Sequence, residues 1–388
     1  MGGATSGERL RGVLLVALAA VAVGYLFADF APLIPLLSAD LGIDEVQVGL
    51  LATASAAVYT IGTLATTGLP DRYGPKPVIA AGLATGVVGV VLIATAPSYL
   101  VVLVGKGVQG LASAFTFVSG ARYIAGLYGS RRSHFALGMF GAGYPLGGAL
   151  ALALMPRFAT ALGDWRGAFW AEAGLIAACL GLWLMTIGVA PVPRRGSIRD
   201  ALRCPNCWWA GIQHTGFGVV TAAGAWIAVF LLREFDLPLA VAGGLGALLL
   251  LVATIARPLG GWLVARHWLR TRPIMAAANI FIIVGVLLLA IPDRPLAVAL
   301  LGAVIFGVGG GIPYAAVFNT AAASLRNAPG AAQGMPVMLG NVVILAVAPS
   351  VGFLVRSYGF SAAWLFIAAL AAAALGGLAF TKGEEDLT

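Results

Sequence analysis

Twelve apolar stretches follow one another along this chain, separated mostly by short polar or proline-containing turns. They run near 12–37, 46–69, 77–96, 99–128, 133–156, 166–190, 208–233, 239–264, 273–291, 295–325, 331–355 and 360–380. A helix of about 20 apolar residues crosses the hydrocarbon core of a bilayer. Backbone in hydrocarbon must satisfy its own hydrogen bonds, and a helix does so within one segment. One such stretch would also suit a buried helix of a soluble domain; twelve in succession do not. Composition agrees, with 60% of residues hydrophobic and 10% charged, where a soluble domain carries about 25% charged residues. So few charges cannot cover the surface of an ordinary soluble enzyme, and disorder would need the opposite balance. The expected fold class is an all-α membrane protein, with twelve transmembrane helices in two six-helix halves. The first stretch does not read as a signal peptide, because it is too long, lacks a convincing cleavage site and is followed by further spans.

The long connector PVPRRGSIRDALRCPNC lies at 191–207 and leaves six stretches on either side. The expected organisation is a six-helix bundle over 1–190, a connector over 191–207 and a second six-helix bundle over 208–388, as after duplication of a six-helix unit. The net charge of +8 would suit nucleic acid in a soluble protein. Here its distribution matters more, because Lys and Arg concentrate in cytoplasmic loops. Alternate loops carry Arg9, Arg11, Arg72, Lys76, Arg131, Arg132, Arg194, Arg195, Arg199, Arg203, Arg266, Arg270, Arg272, Arg326 and Lys382. The opposite loops carry only Arg157, Arg166, Arg233, Arg294 and Arg356. Both termini and the connector are therefore expected in the cytoplasm, and no nucleic-acid partner is expected.

Between the second and third spans stands Gly68-Leu-Pro-Asp71-Arg72-Tyr-Gly74-Pro-Lys76. It resembles the loop signature of the major facilitator superfamily, G-x-x-x-D-R-x-G-R-[KR], with the first glycine one residue closer and Pro75 at a normally basic position. After the eighth span, Arg257-Pro-Leu-Gly260-Gly261-Trp-Leu-Val-Ala265-Arg266 resembles the same signature with Ala265 in place of the aspartate. Recurrence at equivalent places in both halves is stronger than either match alone. Lys106-Gly-Val-Gln109-Gly110-Leu-Ala-Ser-Ala114 is similar to the family's fourth-helix element, with lysine for arginine. Gly163-Asp164-Trp165-Arg166-Gly-Ala-Phe169 resembles the start of its sixth helix, and Gly359-Phe-Ser-Ala-Ala-Trp364 is a weaker echo at the twelfth. The resemblance implies the twelve-helix fold, and a conformational latch at Gly68, Asp71, Arg72, Gly74, Lys76, Gly261 and Arg266.

Ionisable groups inside hydrocarbon are costly and mark pathways or partners. Asp29 in the first span and Lys106 in the fourth sit at similar depth in the outer half, so they can pair. In one reading Asp29 exchanges a proton while Lys106 tunes it or binds an anionic substrate. In the other, the pair is a fixed structural contact or the aspartate reaches the outer interface. Glu172 is expected at the interface, near the outer end of its span. Arg257 stands before a Pro-Leu-Gly-Gly kink, and its guanidinium fork suits planar anions. The eighth span is similar to that of nitrate/nitrite and cyanate-type porters of the superfamily. Nitrate porters clamp the anion between two arginines, one from the second helix; here the second span has no Arg or Lys. Arg257 is left to bind a monoanion alone or with Lys106, or to brace the adjacent loop.

Uncharged polar side chains at pocket depth are Tyr25, Tyr59, Gln109, Tyr144, Tyr314, Asn319 and Asn341. Burying them unsatisfied is costly, so some are expected to line a wet substrate cavity. The glycines around Pro145 loosely resemble an antiporter element, and those near Pro313 and Pro336 suit rocking or close packing alike. Cys204-Pro-Asn-Cys207 offers too few ligands for zinc and reads as two reduced thiols.

No phosphate-binding G-x-x-x-x-G-K-[ST] loop is visible. The expectation is a secondary active transporter in a cell membrane, monomeric, without cofactors and not an enzyme. It would be proton-coupled and move a small organic or inorganic anion. Two alternatives stay open: a proton-driven drug or metabolite exporter of the same superfamily, and a non-transporting membrane receptor or scaffold.

Overall fold

A computed structural model describes residues 6–66, 69–128, 134–189, 198–266, 268–326 and 328–387. Every regular element among them is helical. In order these are α1 (Ser6–Ala28), α2 (Ile34–Leu41), α3 (Glu45–Thr66), α4 (Leu69–Tyr73), α5 (Pro75–Ala94), α6 (Tyr99–Tyr128), α7 (His134–Leu162) and α8 (Trp165–Leu184). There follow α9 (Ile198–Leu202), α10 (Pro205–Phe235), α11 (Leu239–Ala265), α12 (Thr271–Ala290), α13 (Leu296–Gly311), α14 (Tyr314–Ser324) and α15 (Pro329–Gly377).

Among the described residues, ten helical stretches are long and apolar enough to cross a membrane, and the pair Pro205–Gly224 and Trp226–Phe235, bent by 49°, makes an eleventh. The last stretch, Ala331–Asp386, is divided at Gly359, whose φ of 81° and ψ of 177° interrupt α15. Its two parts correspond to the eleventh and twelfth spans read from the sequence.

Two spans that read as continuous are broken. The first stops at Ala28, passes through a 3-10 turn at Ala31–Leu33 and resumes as α2. Pro32 and Pro35 lack the N–H that would continue the ladder, and their rings crowd the preceding turn. The tenth is interrupted between α13 and α14 at Pro313. The sixth-helix motif explains itself locally. Gly163 takes a φ of 90°, Asp164 caps α8 by accepting the Gly167 N–H at 2.6 Å, and Arg166 reaches Asp40 at 2.8 Å.

The chain forms two compact units, residues 1–43 with 50–193, and residues 44–49 with 194–388. In the first, α1 packs on α7, α6 and α8, and α5 packs on α6 and α8. A side-chain carbon on Gly147 would collide with the Val21 carbonyl, so α1 and α7 meet backbone to backbone. In the second, α10 packs on α15 and α11 on α13. There a side chain at Gly218 would collide with the Gly340 carbonyl of α15. The same kind of contact thus joins the first and fifth spans of one unit and the seventh and eleventh of the other.

Candidate functional site

The break in α1 creates the polar centre of the first unit. Where a helix stops, its last carbonyls lose their partners. Lys106 of α6 supplies them: its Nζ donates to the Leu26 carbonyl at 2.6 Å and to that of Phe27 at 3.4 Å. The same Nζ lies 2.7 Å from Asp29 Oδ1, and both side chains are 0% exposed. Gln109, one helical turn along α6, donates Nε2 to Asp29 Oδ2 at 2.7 Å. The Phe30 N–H donates to Oδ1 at 2.6 Å, and the Phe30 ring lies 4.9 Å from the ammonium. Both aspartate oxygens are therefore engaged, and the lysine's three donors face three acceptors. The lysine is at once a cap for a broken helix and the counter-ion of a buried acid.

Glu172 corrects the sequence reading. It is 0% exposed on α8 rather than interfacial, and it interacts electrostatically with Asp29 and Lys106. Its helical phase turns it to the bundle interior, because α8 packs against α1 and α5. Tyr25 is buried beside these acids, and its hydroxyl has no hydrogen-bond partner among the described residues. Tyr144 and Tyr59 belong to an aromatic chain in the same unit. Phe117 lies 6.1 Å from the Tyr59 ring and 5.4 Å from that of Tyr144, which is 5.9 Å from Phe27.

The second unit holds Arg257, buried at 4% exposure on α11. Its guanidinium carbon is 4.2 Å from the Phe217 ring centre and 4.4 Å from that of Tyr314. A cation–π contact of a desolvated arginine contributes about 2 kcal/mol. Sequence reasoning assigned no role to His214, which completes this cluster. Its ring stacks on Phe217 at 5.4 Å and meets Phe318 edge-on at 5.2 Å, and its Nδ1 has no hydrogen-bond partner among the described residues. The i, i+3 spacing of His214 and Phe217 on one helix was the available signal. Asn341 is buried on α15, and its Nδ2 is likewise without a partner among the described residues. Asn319 is partly buried on α14. Gln213 and Asn279 carry no signal in the sequence either; Asn279 Nδ2 donates to Gln213 Oε1 at 3.0 Å, and Gln213 donates to the Ala374 carbonyl. That pair ties α10, α12 and α15 together.

Of the residues expected to form a latch, Gly68 lies outside the described residues, and for Asp71 only the backbone, in α4, is described. Arg72 is exposed, 5.1 Å above the Tyr73 ring. Gly74 precedes α5 with a φ of 83°. Lys76 turns inward, donating to the Thr186 carbonyl at 2.6 Å, while Trp183 Nε1 donates to the Lys76 carbonyl at 3.0 Å. Gly261 faces Ala315, and Arg266 is exposed at the end of α11. The thiols of Cys204 and Cys207 are free, and no cluster of three metal-ligating side chains occurs among the described residues.

This geometry can bind and release a proton at a buried, lysine-paired carboxylate, and it can present a guanidinium to an anion. The chain is 32% identical over 162 residues to a probable 4-methylmuconolactone transporter of Cupriavidus pinatubonensis, covering 40% of this chain and 36% of that relative. It is 25% identical over 334 residues to a probable nitrate/nitrite antiporter of Thermus thermophilus, covering 78% of this chain and 75% of the relative. The first match thus spans little more than a third of that transporter. Among solved structures, a bacterial homologue of the human lysosomal transporter Spinster superposes over 99% of this chain and 98% of its own, with a TM-score of 0.74 at 15% identity. At that identity the likeness establishes the fold. The Major Facilitator Superfamily profile matches residues 13–347, and with the helical architecture above this shows that the chain belongs to the Major Facilitator Superfamily.

Proposed function

We propose that this chain is a secondary active transporter that works by alternating access, is coupled to protons and moves a small organic or inorganic anion. The observation that carries the reading is the fully buried Asp29–Lys106 pair at the break in α1. A carboxylate that pairs with an ammonium in low dielectric and can also take a proton is a two-state element. When Asp29 is ionised, Lys106 is held against it. When Asp29 is protonated, the attraction falls and Lys106 keeps its bonds to the Leu26 and Phe27 carbonyls. The charge on Asp29 thereby acts on the junction between α1 and α2.

Arg257, framed by Phe217 and Tyr314, is the anion-recognition group in this reading. Asn341, Asn319 and Tyr314 on the second unit, and Tyr25, Tyr59, Gln109 and Tyr144 on the first, are proposed substrate contacts. Lys106 is a second cation for the anion when Asp29 is neutral. Relatives named as transporters of 4-methylmuconolactone, nitrate/nitrite and sialic acid support an anionic solute. The moving bodies would be the halves 1–190 and 208–388, with the 191–207 connector and both termini cytoplasmic. Gly68, Asp71, Arg72, Gly74, Lys76, Gly261 and Arg266 would form the latch. The chain would act as a carrier and not an enzyme, without a cofactor, and as a monomer.

Purified protein in liposomes with an internal pH indicator tests this. Inorganic anions, organic carboxylates and lipophilic cations are added in turn. Anion-dependent proton movement is expected. Movement driven by lipophilic cations instead would favour the drug-exporter reading, and no movement with either would overturn proton coupling.

A further inference from the structure

The first unit buries a second carboxyl beside the Asp29–Lys106 pair. Glu172 is 0% exposed, and no donor among the described residues reaches either of its oxygens. The charged groups that face it are Asp29 of α1 and Lys106 of α6, with Tyr25 of α1 close by. Lys106 has nothing left to give, because its donors are directed at Asp29 and at the Leu26 and Phe27 carbonyls. The other helices packed on α8 are α5 and α7. On α5, Lys76 is spent on the Thr186 carbonyl. On α7, Arg157 is exposed and bonded to the Ala153 carbonyl, while Tyr144 packs its ring on Phe27 and Phe117. On α8 itself, Arg166 pairs with Asp40 at the surface.

One ammonium thus stands against two buried carboxyls. Two like charges side by side in low dielectric do not both ionise, and a buried charge without partner or hydrogen bonds is strongly disfavoured. We propose that Glu172 is a proton-binding site, its carboxyl held in the acid form with the O–H directed to Asp29. The dyad then stores one proton and one negative charge opposite Lys106. Proton transfer within it is balanced: Glu172 as acid and Asp29 as carboxylate become Glu172 as carboxylate and Asp29 as acid. The link to transport rests on the proton-coupled reading above, and Glu172 gives Asp29 an internal donor.

Infrared spectroscopy of the purified protein in detergent tests the site without any transport. At neutral pH, the wild type is expected to show a protonated-carboxyl C=O band that shifts on exchange into D2O. Glu172→Gln should remove that band, and Glu172→Asp should keep it at a changed frequency. A band unchanged in Glu172→Gln would overturn the proposal, as would absence of the band from the wild type. Should the glutamine variant fail to fold, the aspartate variant decides, because a band that does not move cannot come from residue 172. The outcome is separable from the transport reading: wild-type proton flux in an Asp29 variant would remove the coupling role and leave the infrared result standing.

Discussion

Lys106 Nζ lies 2.7 Å from Asp29 Oδ1, with neither side chain exposed. The contact joins α6 to the point where the first span breaks, and the same ammonium caps the carbonyls released by that break. Backbone geometry and acid charge are therefore set by one side chain.

Lys106→Met leaves Asp29 buried without its counter-ion and leaves two helix-end carbonyls without a donor. Removal of one partner of a buried pair costs about 3–5 kcal/mol. Thermal unfolding in detergent should show a large loss for the single variant. It should show a smaller loss for the double variant Asp29→Asn/Lys106→Met, since no lone charge remains. Strictly additive losses would mean that the two residues do not act as a pair.

Gln109→Leu keeps the side-chain volume but removes the donor to Asp29 Oδ2. A hydrogen bond to a charged group contributes about 1.5–3 kcal/mol. The ionised state of Asp29 loses that support and the protonated state loses less. The pH midpoint of proton-linked transport should therefore move to higher pH. A pH profile of anion-dependent flux in liposomes checks the shift, and an unchanged midpoint contradicts it.

Arg257→Lys preserves charge but loses the planar fork and its fit between Phe217 and Tyr314. Apparent affinity for the anion that drives flux should fall by about tenfold or more, equivalent to roughly 1.4 kcal/mol. Arg257→Ala should abolish saturable anion dependence. Unaltered concentration dependence in both variants would reduce Arg257 to a packing role.

Gly147→Val places a branched side chain where the Val21 carbonyl already stands. Overpacking costs about 1–3 kcal/mol even where side chains can yield, and here the neighbour is backbone. Loss of folded, monodisperse protein in size-exclusion chromatography is expected. Gly138→Val is the control, because among the described residues nothing beyond its own helix backbone lies within 4 Å of a side-chain carbon built there.

Much of the fold was legible because hydrophobicity is a local property. Each span shows in its own twenty or so residues, and Gly359 marked the boundary between the last two. The Asp29–Lys106 contact was legible from depth alone, since two opposite charges at one level of a bundle have few other partners. What depth cannot give is helical phase. Glu172 was placed near the interface by its distance along α8, yet it faces inward because of what α8 packs against. Lys106 as a helix cap was hidden for a similar reason. Pro32 and Pro35 make the break inside a stretch that reads as one continuous span, and the donor that satisfies it arrives from a helix some 80 positions away in sequence. His214 was overlooked because a lone histidine in an apolar run carries no signal until Phe217, Tyr314 and Phe318 are gathered around it.

Whether Asp29 carries the coupling proton is decided by Asp29→Asn in proteoliposomes with simultaneous readout of internal pH and anion uptake. Anion binding should persist while anion-driven proton movement is lost. Proton movement at the wild-type rate in that variant would contradict that role.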